Sequence, residues 1–227
     1  VRVRQALNMA VNKDRIVRII NNRAVPATQI LPPLFESYDA EYAGYPYDVA
    51  AAKALLADAG YPNGLDVEFW YMPVSRPYFP APQPIAETVA SYLADVGITA
   101  NLMTEDWTTY LADYTTGKFP MYMLGWNADY ADPDNFLLTF FGPSAAGSLG
   151  WDSPETLALL NEARQISDQT KRAELYAQVN DTVADQAISI PMAHNRSLNA
   201  VRANIDGWQP SPLGYSSVSL IPVTKTE

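Results

Sequence analysis

Three short apolar runs, separated by two amphipathic stretches, constrain this chain more than anything else in it. Residues 65–72, 98–103 and 119–124 read as strands. Between them, residues 84–96 place Ile85, Val89, Leu93 and Val96 on one helical face, and residues 106–116 read as a second helix. Gly97 stops the first helix, and Pro62-Asn63-Gly64 turns the chain into the first strand. Strand, helix, strand, helix, strand is the pattern of a βαβ layer. It predicts an α/β fold with a mixed, mostly parallel sheet flanked by helices. In such sheets ligands bind just beyond the carboxyl ends of the strands. The segments that follow the three runs are therefore where function is expected.

The flanking chain fills out this plan. Residues 2–20 have helical spacing at Val3, Ala6, Leu7, Ala10 and Val11, with Asn12 able to cap a second stretch through Ile16, Val17 and Ile20. Residues 23–47 carry Pro26, Pro32, Pro33 and Pro46 without a period and read as an ordered loop. Asp48 suits the N-cap of a helix over 49–59 that Gly60 ends. Helices are expected over 134–141, 154–167 and 171–185, and strands over 188–192 and 218–223.

Composition excludes several functions. A formal net charge of −10 disfavours nucleic acid, which needs a basic footprint, and docking on anionic lipid. No apolar run approaches the roughly 18 residues of a membrane-spanning helix. Cysteine is absent, which removes thiol catalysis, disulfides and cysteine-based zinc sites, and fits an oxidising compartment. The one histidine, His194, rules out His-rich metal centres, and no Ser-His-Asp order surrounds it. There is no P-loop or dinucleotide-binding glycine motif. No cofactor is expected, and no pair of carboxylates is singled out for glycosidic chemistry. Val1 opens a polar-apolar pattern, so a signal peptide is not expected at this start, and the chain reads as processed or cut from something longer.

The segment Gly125-Trp126-Asn127-Ala128-Asp129-Tyr130-Ala131-Asp132-Pro133-Asp134-Asn135-Phe136 follows the third strand. Trp126 beside the carboxylate of Asp129 suits a ligand with an apolar body and a positive amine. Asp129 also reads as a solvated loop acid, whereas Asp132 and Asp134 fit helix-start chemistry. The spacing lacks the order of a calcium loop. After the first strand, residues 73–82 are broken repeatedly by proline, and Arg76 and Tyr78 sit there. An arginine fork held in a rigid loop can grip a carboxylate, with the Tyr78 hydroxyl as a second donor. The alternative is a surface arginine stacked on neighbouring rings. Trp107 opens the helix after the second strand, either as pocket wall or as core anchor.

These motifs together resemble a known family. Val3-Arg4-Gln5-Ala6-Leu7-Asn8-Met9-Ala10-Val11-Asn12-Lys13 is similar to a "VRQAL-x-x-A-(I/V)-(N/D)-(R/K)" helix. Residues 47–61 are similar to "YDP-x-x-AK-x-LL-x-x-AGY", and the Trp126 loop to "GW-x-x-D-x-x-DP-x-NF". Residues 72–78 are similar to the R-P-Y loop of dipeptide binders. The set resembles the family 5 extracellular solute-binding proteins of bacterial ABC importers for peptides and nickel. The matches run in order from residue 1 to about 195.

The resemblance implies a lobe with the type II periplasmic-binding-protein fold. Residues 1–204 would be the second lobe of a two-lobed protein more than twice this long, and 205–227 a returning segment that pairs with the absent first lobe. It implies a non-enzymatic, monomeric, extracytoplasmic protein of the periplasm or cell envelope. Its partners would be a short peptide and the permease subunits of an importer. It assigns the peptide amine to Asp129 beside Trp126, the peptide carboxylate to Arg76 and Tyr78, and a side-chain pocket wall to Trp107. The Trp126-to-Tyr130 segment is nearer to oligopeptide-type loops, which leaves peptide length open. Relatives that bind a nickel chelate, haem or oligosaccharide supply the alternative ligands, and a hydrolase is the remote alternative.

Overall fold

The computed structural model describes residues 1–196, 200–209 and 224–225. In chain order it contains α1 (Arg2–Ala10), α2 (Lys13–Ile19), β1 (Ala24–Pro26), α3 (Val49–Asp58), β2 (Leu65–Trp70), α4 (Pro82–Asp95), β3 (Ile98–Met103) and α5 (Trp107–Asp113). A 3-10 turn, Tyr114–Thr116, leads to β4 (Met121–Tyr122). Then follow α6 (Asp134–Phe141), α7 (Ala145–Leu149), α8 (Pro154–Gln165), α9 (Gln169–Asp185), β5 (Ala193–Asn195), β6 (Ile205–Asp206) and β7 (Thr224–Lys225).

The central sheet has the order β3-β2-β4, and both pairings are parallel. Leu65 pairs with Ile98 and Trp70 with both Met103 and Tyr122, so the three strands end together at one edge. The entry edge depends on two glycines. Gly64 has φ +81°, and a Cβ there would lie 1.7 Å from the carbonyl oxygen of Gly97. Only glycine permits both the left-handed backbone and that approach of the two strand starts. β1 and β5 form a separate antiparallel pair in which Val25 faces His194, and β6 pairs with β7.

Asn12 and Asp48 cap their helices as expected, and Asp106 does the same for α5. Asn12, Asp48 and Asp106 each accept a backbone N–H of the first turn, from Arg15, Ala51 and both Thr108 and Thr109. Among the described residues two hydrophobic cores result. One packs Ala6, Ile16, Met72, Ile85, Leu93 and Tyr110 around the parallel sheet. The other joins Leu31, Phe136, Leu137, Leu160, Tyr176 and Val179 of α6, α8, α9 and the preceding loop. A buried amide cluster fastens that loop: Gln29 donates to the Asp39 carbonyl at 2.6 Å and accepts from the Asn180 amide.

Three expectations need correction. The strand expected over 188–192 is displaced to Ala193–Asn195, because Pro191 has no N–H for a ladder. The third parallel strand shrinks to Met121–Tyr122, with Pro120 before it, although Met123 N still donates to Trp70 O at 2.9 Å. The five-residue α7 is unpredicted, as is β1 inside the expected loop. The strand expected over 218–223 lies outside the described residues.

Candidate ligand-binding site

Because β2, β3 and β4 are parallel, the loops that leave them emerge at one edge. Arg76 and Tyr78 follow β2, Trp107 follows β3, and Trp126 and Asp129 follow β4. All five residues therefore follow the carboxyl ends of the three parallel strands.

The Arg76 loop is a tight reversal. Arg76 N donates to Phe79 O at 3.0 Å, and Phe79 N returns to Arg76 O at 2.9 Å. Met72 and Phe79 are buried and root it in the core. From β5, the Asn195 amide donates to Pro77 O at 2.7 Å. The Arg76 guanidinium lies 4.7 Å from the centre of the Trp107 ring, a cation–π contact. Its Nε is buried and makes no hydrogen bond among the described residues. Burial pushes the Tyr78 hydroxyl pKa up, with the Arg76 charge opposing it.

Trp107 lies between the core and the Arg76 loop. It is half-buried and stacked on Tyr110 with ring centres 5.8 Å apart, while its contact with Arg76 ties it to the site. The core anchor is Tyr110, fully buried, whose hydroxyl donates to Met123 O at 2.7 Å and Trp70 O at 3.2 Å. Burial pushes that hydroxyl pKa far up. Tyr110 thus fastens α5 to the ends of β2 and β4, from which two of the site loops start.

Gly125 joins the first and third loops. A Cβ there would come within 2.5 Å of the Tyr78 ring, so the ring packs on bare backbone. Next to it, Trp126 is 37% exposed, and Asp129 is exposed. The Trp126 indole N–H donates to Asn135 Oδ1 at 2.9 Å, and the Asp129 backbone N–H donates to the same oxygen at 2.8 Å. Asp132 and Asp134 behave as helix-start residues: Asp132 Oδ1 accepts from Asp134 N at 2.9 Å. Asp132 also pairs with Arg172 of α9, and Asp134 with Arg164 of α8 at 3.5 Å. Sequence reasoning missed Asn135 and both arginines. A signal for Asn135 stood in the motif, as a polar residue opening an otherwise apolar helix.

The structure thus brings Arg76 onto Trp107 and Tyr78 against Gly125, and joins Trp126 to Asp129 through Asn135. Among the described residues no group of three His, Asp or Glu side chains is arranged to hold a metal ion, and no helix is long and apolar enough to cross a membrane.

His194 lies on β5 with its ring edge-on to Tyr38, centres 6.5 Å apart. Burial pushes its pKa down to about 4, a hydrogen bond with the Gln29 backbone opposes that, and the Lys13 charge reinforces it. Lys13 is itself pushed down to about 8 by burial and donates to Ala27 O at 2.9 Å. An unfolded histidine titrates at about 6.5. Between that value and about 4 the unfolded state therefore binds more protons, so stability rises with pH across the window and is lost as pH falls. His194→Gln is expected to flatten this dependence, measured by denaturant unfolding at a series of pH values between these limits.

The family model for bacterial extracellular solute-binding proteins, family 5 Middle, matches residues 1–148. The chain is 39% identical over 221 residues to Heme-binding protein A of Haemophilus influenzae, covering 96% of this chain and 40% of that protein. It is 38% identical over 229 residues to the Dipeptide-binding protein of Escherichia coli, covering 97% and 43%. The solved structure of HbpA2 from Haemophilus parasuis matches with a TM-score of 0.90 at 32% identity, over 100% of this chain and 45% of that one. The chain spans less than half the length of each of these relatives. Its fold is that of a type II periplasmic-binding-protein lobe, with parallel strands at the centre and helices around them. By the family match over its first 148 residues and by these relatives, the chain belongs to the bacterial extracellular solute-binding proteins of family 5.

Proposed function

We propose that this chain is the second lobe of an extracytoplasmic peptide-binding protein serving an ABC importer. Short peptides are captured between two lobes, and the closed, loaded protein delivers them to a membrane permease. Residues 1–204 belong to the lobe, and most of 205–227, the segment expected to return to the partner lobe, lies outside the described residues. The role is binding without catalysis, in the periplasm or cell envelope.

One observation carries this reading. A cation and an anion, Arg76 and Asp129, stand on separate loops at one sheet edge, and each has an indole beside it. A zwitterionic peptide presents the complementary pair of charges at a set separation. An incoming carboxylate supplies acceptors for Arg76, whose Nε is buried without a hydrogen-bond partner among the described residues. Trp107 and Trp126 offer broad apolar faces that tolerate varied side chains.

The second reading is haem, favoured by the 39% identity to a relative named Heme-binding protein A. Its propionates would use Arg76 in the same way. Against it, the chain has no cysteine, and its one histidine stands on β5, outside the three loops that carry the candidate residues. Native mass spectrometry of the full-length protein purified from its host separates the two. Di- or tripeptide adducts are expected; a haem adduct with its visible absorption band would overturn the peptide reading.

A further inference from the structure

We propose that Asn135 is the positioning residue of this site, setting the aromatic wall and the acidic residue together through a single buried oxygen. The inference rests on the peptide reading for its ligand readout alone.

Asn135 lies in the first turn of α6 and is 6% exposed. Its Oδ1 accepts both the Trp126 indole N–H, at 2.9 Å, and the Asp129 backbone N–H, at 2.8 Å. An amide oxygen has two lone pairs, and here both are used. Trp126 and Asp129 are three residues apart in a loop without regular structure, so no backbone ladder fixes their relative placement. The common acceptor does so instead. Neither the ring nor the Asp129 backbone can move far without breaking a bond to a buried group, and a buried acceptor left unmade is costly.

The surrounding ties hold Asn135 itself. Asp132 is fixed by Asp134 N and Arg172, and Asp134 by Tyr130 and Arg164. Asn135 N donates to Asp132 O at 3.1 Å, and Phe136 and Leu137 beside it are buried in the second core. The rigidity of α6, α8 and α9 therefore reaches the ligand-facing residues through one side chain. Trp126 and Asp129 form one unit, and a change at Asn135 displaces both.

The test uses the full-length protein carrying Asn135→Leu, which has similar size and no acceptor, and Asn135→Asp, which keeps the acceptor oxygen. The Trp126 indole N–H resonance, assigned with Trp126→Phe, reports the hydrogen bond in the absence of ligand. Asn135→Leu should shift that resonance and remove its protection from exchange, and should lower dipeptide affinity by roughly tenfold or more. Asn135→Asp should restore both to near the parent values. If Asn135→Leu does not fold, Asn135→Gln, which keeps the amide but moves its oxygen outward, gives the same two readouts. An indole resonance unmoved by loss of the acceptor, or unrestored by Asn135→Asp, would overturn the proposal. So would a shifted resonance with unchanged dipeptide affinity. If the parent protein binds no peptide while the resonance still shifts and recovers, the peptide reading fails and the positioning role stands.

Discussion

Replacing Arg76 with alanine is expected to weaken dipeptide binding by the full-length protein roughly 10- to 150-fold, the equivalent of one charge-assisted hydrogen-bonded contact at about 1.5–3 kcal/mol. The upper part of that range is favoured by the surroundings. The guanidinium is laid on Trp107 at 4.7 Å, and its loop is closed by the paired Arg76–Phe79 backbone bonds and held by Asn195. Little side-chain freedom remains to be lost on binding, so most of the contact energy appears as affinity. Arg76→Lys should rescue only part of the loss. An ammonium keeps the charge but has neither the planar fork nor the stacking surface that the indole meets. Calorimetry with an unmodified dipeptide measures both variants, and equal affinity in all three proteins would remove Arg76 from the site.

Tyr110→Ala is expected to destabilise the chain by about 3–5 kcal/mol, the range for deleting a large aromatic from a closed core. The side chain is fully buried and packs on Trp107 and Phe119. Its removal leaves a cavity beneath the carboxyl edge of the sheet. Tyr110→Phe isolates the polar part. It removes the hydroxyl that donates to Met123 O and Trp70 O, and should cost about 0.5–1.5 kcal/mol. The two carbonyls are not equivalent: Trp70 O also accepts from Met123 N, and the hydroxyl's shorter bond, at 2.7 Å, is to Met123 O. Denaturant midpoints at constant slope measure both changes. Since Met123 leads into the Gly125–Trp126 segment, Tyr110→Phe should also loosen the site, seen as a modest fall in affinity beside the small fall in stability.

Local signals made much of this fold readable. Asn12, Asp48 and Asp106 are caps whose side chains bond within three residues, and β3 occupies the predicted 98–103 because a glycine stands before it and a polar turn after it. Asp132 and Asp134 could be separated from Asp129 for the same reason, since helix-start chemistry is short-range. The β1–β5 pair could not be read: three residues near position 25 find partners near 194, and neither run is long enough to show a period. The bracing of the site was hidden in the same way. Arg172 meets Asp132 across 40 residues, and Asn195 reaches Pro77 across 118. The candidate residues were legible by position, each following a strand end. Their grouping through Asn135 and Gly125 is a tertiary fact, because it depends on which side chain the chain returns to the loop.

The most direct test of the account is calorimetry on the full-length protein with one dipeptide in three forms: free, N-acetylated and C-amidated. If Asp129 takes the amine and Arg76 the carboxylate, each cap should weaken binding by at least roughly tenfold. The N-acetyl penalty should vanish in Asp129→Ala, and the amide penalty in Arg76→Ala. Equal affinity for all three forms would contradict the assignment of a zwitterionic peptide to this edge.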